Sequence, residues 1–198
     1  MRKLIVNEFI SLDGVMQAPG SPDEDREGGF AHGGWQIPYF DQVFGEVAAE
    51  GIAEAGAYLF GRKTYQIMAA FWPTQPDDDM FAATLNGLPK YVASTTLSEP
   101  LEWQNSTLLQ GDVAKAVTEL KEQDGGNIVV LGSGELLQTL MENDLVDEFG
   151  LMIHPIVLGS GKRLFKDGSP KRPLRLTRST TSSTGVVIAS YEPVRSER

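Results

Sequence analysis

The 198-residue sequence predicts an α/β fold in which a mostly parallel sheet is flanked by helices and closed by an antiparallel C-terminal hairpin. Three observations predict it. Short apolar runs of strand length alternate with segments of helical periodicity from Leu4 to Glu142, the pattern of repeated strand, helix and strand units. Ile128-Val129-Val130-Leu131 is apolar without interruption, as a strand covered on both faces would be. Leu174 to Ser182 and Val186 to Tyr191 are separated by Ser183-Thr184-Gly185, which reads as a hairpin turn between two late strands.

Leu4 to Ile10 reads as the opening strand, and the segment from Asp13 to Gly34 after it is Gly-rich, acidic and without periodicity. Irregular stretches of that length inside a domain are usually functional or mobile. Pro38 stands where a first helical turn tolerates proline, and Phe40, Val43, Phe44, Val47, Ala48, Gly51 and Ile52 recur at helical spacing, so an amphipathic helix is expected from Pro38 onward. Ala57-Tyr58-Leu59-Phe60 reads as a buried strand stopped by Gly61. A helix through about Phe71 and an acidic, proline-rich loop from Pro73 to Asp79 follow. Lys90 to Ser94 is a strand, and Val113, Ala116, Val117 and Leu120 mark a helix that ends before Gly125-Gly126. Gly132-Ser133-Gly134 turns the apolar strand into a helix from Glu135 to Glu142, and Phe149 to Ile153 is a further strand. With no repeat, no linker and a hydrophobic content of 41%, residues 1–198 read as a single domain.

Composition removes several function classes. There is no cysteine, which excludes disulfides, thiolate metal ligation and a cysteine nucleophile. The two histidines, His32 and His154, are far apart in sequence, so no metal site is expected, and His154 before Pro155 reads as structural. Met1-Arg2-Lys3-Leu4-Ile5-Val6 meets Asn7 and Glu8 before a secretory apolar stretch can form, and no apolar run approaches the ~18 residues of a membrane span. A cytoplasmic protein without a membrane is the expectation. A net charge of −10 disfavours nucleic acid and anionic lipid. Two local exceptions to that sign exist: Arg62-Lys63, and a late stretch with Lys162, Arg163, Lys166, Lys171, Arg172, Arg175 and Arg178.

Three segments carry candidate chemistry. In Gly132-Ser133-Gly134 two glycines let the backbone approach a pyrophosphate at a helix N-terminus, although Leu137 stands where the full dinucleotide fingerprint has a third glycine. A tight strand-to-helix turn is the bland alternative. Gly61-Arg62-Lys63-Thr64 sits at another such junction, where arginine can fork onto a phosphate and threonine can cap the helix or donate to an anion; a solvated Arg-Lys pair explains it as well. Ser94-Thr95-Thr96 offers three hydroxyls at a strand end, suited to a ribose phosphate or to an ordinary turn. The serines of Gly132-Ser133-Gly134 and Gly159-Ser160-Gly161 are not in nucleophile elbows, because leucine precedes each by two residues, and Gly161-Lys162-Arg163 lacks the frame of a phosphate-binding P-loop.

In this order the segments resemble the dihydrofolate reductase superfamily, and most closely the bacterial branch related to the reductase domain of riboflavin biosynthesis. The markers are Ser11-Leu12-Asp13-Gly14, Leu59 to Tyr65, Lys90 to Thr96, Leu131 to Leu136, and Leu145-Val146-Asp147-Glu148 running on to Pro155 to Gly161, a resemblance spanning Leu4 to about Phe165. It implies a dihydrofolate-reductase-like fold holding NADPH at three strand ends. Arg62 and Lys63 would lie near the 2′-phosphate, Thr64 and the turn Gly132, Ser133, Gly134 and Glu135 near the pyrophosphate, and Ser94, Thr95 and Thr96 near the adenosine, with Gly61 and Leu136 also in the cofactor site. Asp13, Gly14 and Trp35 would face a small-molecule substrate, and a homodimer is implied, with Phe149 to Leu158 serving either as interface or as core.

Hydride transfer to C=N or C=O also needs a proton. Two carboxylates compete for that role. Asp13 matches the Ser-Leu-Asp-Gly marker, and its alternative is an Asp-Gly turn. Asp41 follows Trp35-Gln36-Ile37-Pro38, similar to the Trp-x-Leu-Pro before the catalytic acid of folate enzymes. It comes one residue later than in that pattern, a rotation of about 100° on a helix, and its alternative is a first-turn acid favoured by the helix dipole. Asp13 is the expected substrate anchor. The function read from these features is an NADPH-dependent reductase of a pterin-like, pyrimidine-like or carbonyl substrate, with an NADP-binding sensor lacking catalysis as the alternative.

Overall fold

The structure is a computed structural model in which residues 1–195 are described. β1 (Leu4–Ser11) alternates buried and half-buried residues, as the period of its sequence requires. The chain forms two compact units: the first comprises Met1–Ile5 and Ala48–Val146, the second Val6–Val47 and the described residues from Asp147 onward. β1 and α1 (Gln42–Ala53) each run from one unit into the other.

The first unit carries β2 (Ala55–Gly61), α2 (Arg62–Phe71), α3 (Met80–Gly87), β3 (Lys90–Ala93), β4 (Ser106–Leu109), α4 (Val113–Glu122), β5 (Asn127–Leu131) and α5 (Gly134–Glu142). β2 pairs in parallel with β3 and with β5, and β3 with β4. Ala57 to Phe60 and Ile128 to Val130 are all buried, which is why these strands are apolar on both faces. Tyr58, Phe60, Tyr65, Leu85, Val92, Trp103 and Val129 form the unit's aromatic-rich core. Lys90 is fully buried within it, its ammonium donating to the carbonyls of Leu85, Asn86 and Leu88 at 2.8, 3.1 and 2.8 Å. Burial pushes its pKa down to about 8.

The second unit carries β6 (Glu148–His154), β7 (Leu174–Thr181) and β8 (Val187–Pro193), with β8 antiparallel to both of the others. The predicted hairpin is present: Gly185 donates to the Ser182 carbonyl and Ser182 to that of Val186. The strand order β4-β3-β2-β5-β1-β6-β8-β7 describes one eight-stranded mixed sheet, mostly parallel with an antiparallel C-terminal end. Of the Phe149 to Leu158 stretch, Phe149, Leu151 and His154 are buried in the core of this unit, whereas Pro155 is exposed and Val157 is 66% exposed.

Three local expectations differ. Pro38 lies in a separate 3-10 turn over Ile37–Tyr39 and α1 starts only at Gln42, because Phe40 is extended and Asp41 takes the capping position. The loop from Pro73 ends on Asp79, whose carboxylate accepts from Ala82 N and so starts α3, an element absent from the sequence reading. β4 is a four-residue strand with no buried side chain, and its pattern is too short to be seen in sequence.

Candidate functional site

Gly61 pairs with Ala93 and Leu59 with Val130, so β2, β3 and β5 end at one edge of the first unit. The segments Gly61 to Thr64, Ser94 to Thr96 and Gly132 to Leu136 all follow those C-terminal strand ends, the side of a parallel sheet at which α/β proteins bind ligands. Ser133 fastens two of them together. Its hydroxyl accepts from Gly61 N at 2.9 Å and donates to the Leu131 carbonyl at 3.1 Å, and its own N–H donates to Thr64 Oγ1 at 2.9 Å. Gly132 and Ser133 precede α5 with φ of +58° and +63°. A Cβ on Gly132 would stand 3.0 Å from Thr64 Oγ1 and 3.1 Å from its Cγ2, so both the dihedral and the tight contact favour glycine there.

No side chain caps the first turn of α2 or of α5, whereas Asp79 caps α3 and Asp112 caps α4. The leading amides of α2 and α5 therefore present the positive end of each helix dipole at this edge, next to the cations of Arg62 and Lys63. Arg62 is half-buried with a long 3.4 Å contact to Gln66 Oε1, and Lys63 is exposed. Glu135 is exposed in the first turn of α5 and Leu136 is buried, so Leu136 faces this edge with backbone alone. Ser94 Oγ accepts from Thr96 N and Leu97 N at 3.1 and 3.0 Å, closing a turn that leaves Thr95 and Thr96 exposed.

The candidate acids lie in the second unit. Asp13 Oδ1 accepts from the Ser11 hydroxyl at 2.6 Å and from Leu158 N at 3.1 Å, and Oδ2 accepts from Gly159 N at 2.9 Å with Arg163 Nη2 at 3.5 Å. Three hydrogen bonds and this ion pair occupy most of the roughly four lone-pair sites of the carboxylate. The Ser11 hydroxyl, opposed by partial burial and aided by the two backbone amides, holds this carboxyl far below the usual range. Gly14 follows with φ of +81°. Asp41 accepts from Phe44 N at 2.9 Å as the cap of α1, and its other oxygen takes Ser183 N and Oγ, both at 2.7 Å. The Phe44 amide and then the Ser183 hydroxyl lower its pKa.

Trp35 is buried, its indole N–H donating to the Gln17 carbonyl at 2.8 Å. It stands edge-on to His154 with ring centres 5.1 Å apart, and Phe9, Tyr39 and Phe44 also surround that imidazole. His154 Nδ1 lies 2.9 Å from the Met152 carbonyl while Nε2 has no hydrogen-bond partner, and burial lowers its pKa despite the carbonyl contacts. Of the residues that hold Asp13, Leu158 and Gly159 fall in the Pro155 to Gly161 marker and Arg163 in the late basic stretch, but the sequence reading joined none of them to Asp13, and Gln17, which braces the long loop, is absent from it.

The sheet order and these strand-end turns define an α/β protein with one eight-stranded, mostly parallel sheet and an antiparallel C-terminal end. The chain belongs to the RibD C-terminal domain family, whose model matches residues 2–188. The uncharacterized protein YyaP of Bacillus subtilis (strain 168) is 30% identical over 193 residues, covering 96% of this chain and 94% of YyaP. The uncharacterized protein YwjB of the same organism is 26% identical over 179 residues, covering 88% and 89%. Among solved structures, a protein of Shewanella sp. PV-4 named for riboflavin biosynthesis superposes with a TM-score of 0.69 at 21% identity, over 98% of this chain and 99% of that one. A pyrimidine reductase-like protein from Corynebacterium diphtheriae gives a TM-score of 0.63 at 14% identity, over 98% and 93%. Among the described residues no helix is long and apolar enough to cross a membrane.

Proposed function

We propose that the chain is a cytoplasmic NADPH-dependent reductase transferring a hydride to a small heterocyclic, pterin-like or pyrimidine-like, or carbonyl substrate. The observation that carries the reading is the pair of uncapped helix starts at Arg62 and Gly134, fastened to one another by Ser133 beside two cations. That arrangement suits a pyrophosphate with a further phosphate near Arg62. NADPH when bound supplies the hydride. The protein's own residues supply binding: backbone amides of α2 and α5, the guanidinium of Arg62, and the exposed hydroxyls of Thr95 and Thr96.

Asp13 and Asp41 are both held ionised at neutral pH, so neither delivers a proton directly. The proton is assigned to solvent, and Asp13 to positioning: with its lone pairs engaged, it fixes the turn after β1 against the turn after β6. The same observation favours a second reading, an NADP-binding sensor without catalysis. Steady-state NADPH oxidation with pterins, pyrimidines and flavins separates the two, since sustained turnover of any of them excludes the sensor.

Cofactor choice tests the shared part of both readings. NADPH is expected to bind more tightly than NADH by about 1.5–3 kcal/mol, the worth of a hydrogen bond to a charged group, and Arg62→Ala should remove most of that preference. Titration of both cofactors by protein fluorescence measures it, and equal affinities in wild type reject the phosphate assignment. We propose a homodimer as the working form, for which the mass in solution by light scattering is the check.

A further inference from the structure

His154 is fully buried at the end of β6, and four other segments of the second unit converge on its imidazole. Phe9 of β1, Trp35 at the end of the long loop, Tyr39 of the 3-10 turn and Phe44 of α1 place their ring centres 6.1, 5.1, 5.6 and 6.5 Å from its own. Nδ1 lies 2.9 Å from the Met152 carbonyl and 3.3 Å from that of Ile10, so the ring proton sits on Nδ1 and bridges the ends of β6 and β1. Nε2 is then a bare acceptor, without a hydrogen-bond partner among the described residues. This arrangement suits the neutral ring.

Protonation would add a second N–H and a full charge where nothing receives them. The Trp35 indole N–H is committed to the Gln17 carbonyl, and Tyr39 makes no bond to Nε2. Glu8 alternates with Phe9 along β1 and so leaves by the opposite face. Asp41, at the start of α1, spends its carboxylate on Phe44 N and on Ser183 N and Oγ. Glu148 shares a strand face with His154 but stands six residues, about 20 Å, back along β6. Gln36, Ser183 and Thr184 carry no charge, and the exposed His32 packs on Phe30. A disturbance here also travels: Ile156 N donates to the His154 carbonyl and Leu12 N to that of Ile156, both at 2.8 Å, and the same turn runs on to Leu158 and Gly159, which hold Asp13.

We propose that His154 is an acid-sensitive keystone of the second unit: the neutral imidazole joins the ends of β1 and β6 to Trp35, Tyr39 and Phe44, and uptake of a proton releases them. Burial lowers its pKa in the fold, so the unfolded ring, near 6.5, takes the proton first. The stability that neutral His154 contributes is complete above that value and is lost as pH falls toward the lower folded one, by at most about tenfold in the opening constant per pH unit. Asp13 begins to act only below about 4, and Glu24, whose pKa burial raises, acts with the opposite sign.

The test is NMR hydrogen exchange of indole N–H groups in the full chain from pH 7.5 to 4.5, corrected for the intrinsic pH dependence of exchange. The Trp35 indole reports on the second unit, and that of Trp103, which donates to Asn86 Oδ1 at 2.7 Å, reports on the first. Trp35 should lose protection below pH 6.5 while Trp103 keeps it. His154→Gln retains a donor for the Met152 carbonyl but titrates nowhere in this range, so its Trp35 protection should be flat, whereas His32→Gln should behave as wild type. If His154→Gln folds poorly, imidazole 15N shifts in wild type decide instead: His154 should stay neutral, protonated on Nδ1, until Trp35 protection falls. No arm contains NADPH, so the outcome is independent of the cofactor reading. Unchanged Trp35 protection between pH 7 and 5, a His154 imidazolium inside an unchanged unit, the same acid loss in folded His154→Gln, or its removal by His32→Gln each overturns the proposal.

Discussion

Alanine at Gly132 is expected to weaken NADPH binding by about a hundredfold or more while leaving a folded protein. The left-handed dihedral alone costs a non-glycine residue about 1–2 kcal/mol. The new methyl would also press on Thr64 Oγ1 and Cγ2 at 3.0 and 3.1 Å. Thr64 accepts the Ser133 amide, so relief of that contact loosens the bond that fastens the two uncapped helix starts together. The turn relieves these two costs, together approaching 3 kcal/mol, by moving, and returning it to the geometry that binds NADPH would cost up to that much, roughly a hundredfold in affinity at 1.4 kcal/mol per decade. Fluorescence titration measures the binding, with circular dichroism as the check on folding. A folded Gly132→Ala that binds NADPH as wild type does would remove the pyrophosphate from this turn.

The second large effect is expected at Asp13. Asparagine keeps its shape but turns one acceptor oxygen into an N–H donor, which must face Gly159 N and Arg163 or else Ser11 and Leu158 N. Losing one charged hydrogen bond and opposing another donor should cost about 2–3 kcal/mol, a fall in Tm of about 5–10 °C for a chain of this size. The pH dependence has a defined sign. Asp13 holds its proton less tightly folded than unfolded, so its stabilisation is complete above the unfolded carboxyl pKa of about 4 and fades as pH falls below that. Melting curves of wild type and Asp13→Asn should therefore differ fully at pH 7 and converge in acid. Asp41→Asn should change stability less, because the asparagine oxygen can still cap α1 at Phe44 N and the Ser183 contacts it gives up are exposed to water. A gap between wild type and Asp13→Asn that widened in acid would contradict the clamp.

What was legible in the sequence was whatever depends on neighbours along the chain. The Gly132-Ser133-Gly134 turn, the buried run from Ile128 and the hairpin at Ser183 each need only a few adjacent residues, and the structure places all three as read. Ser133 shows the limit of that legibility: it stands in the expected turn, yet its hydroxyl holds Gly61, 72 residues away. Asp13 is the sharper case. Its local pattern suggested a substrate contact and said nothing of two of its donors, which lie 145 and 146 residues along the chain. α3 escaped notice because eight residues give too few turns for periodicity to stand out, although Asp79 before them was a readable cap.

The interleaving of the two units along the chain has a consequence for synthesis. All of the first unit has been made once Val146 leaves the ribosome, so its parallel strands can pair during translation. The second unit cannot follow the same schedule. Residues Val6–Val47, with Trp35 and the long acidic loop, are made early, but β6, β8 and β7 come last. Asp13 therefore waits for Leu158, Gly159 and Arg163, and Gln17 for Lys162, until nearly the whole chain exists. A released fragment ending at Val146 should accordingly protect the first unit from protease and leave residues 6–47 open to it.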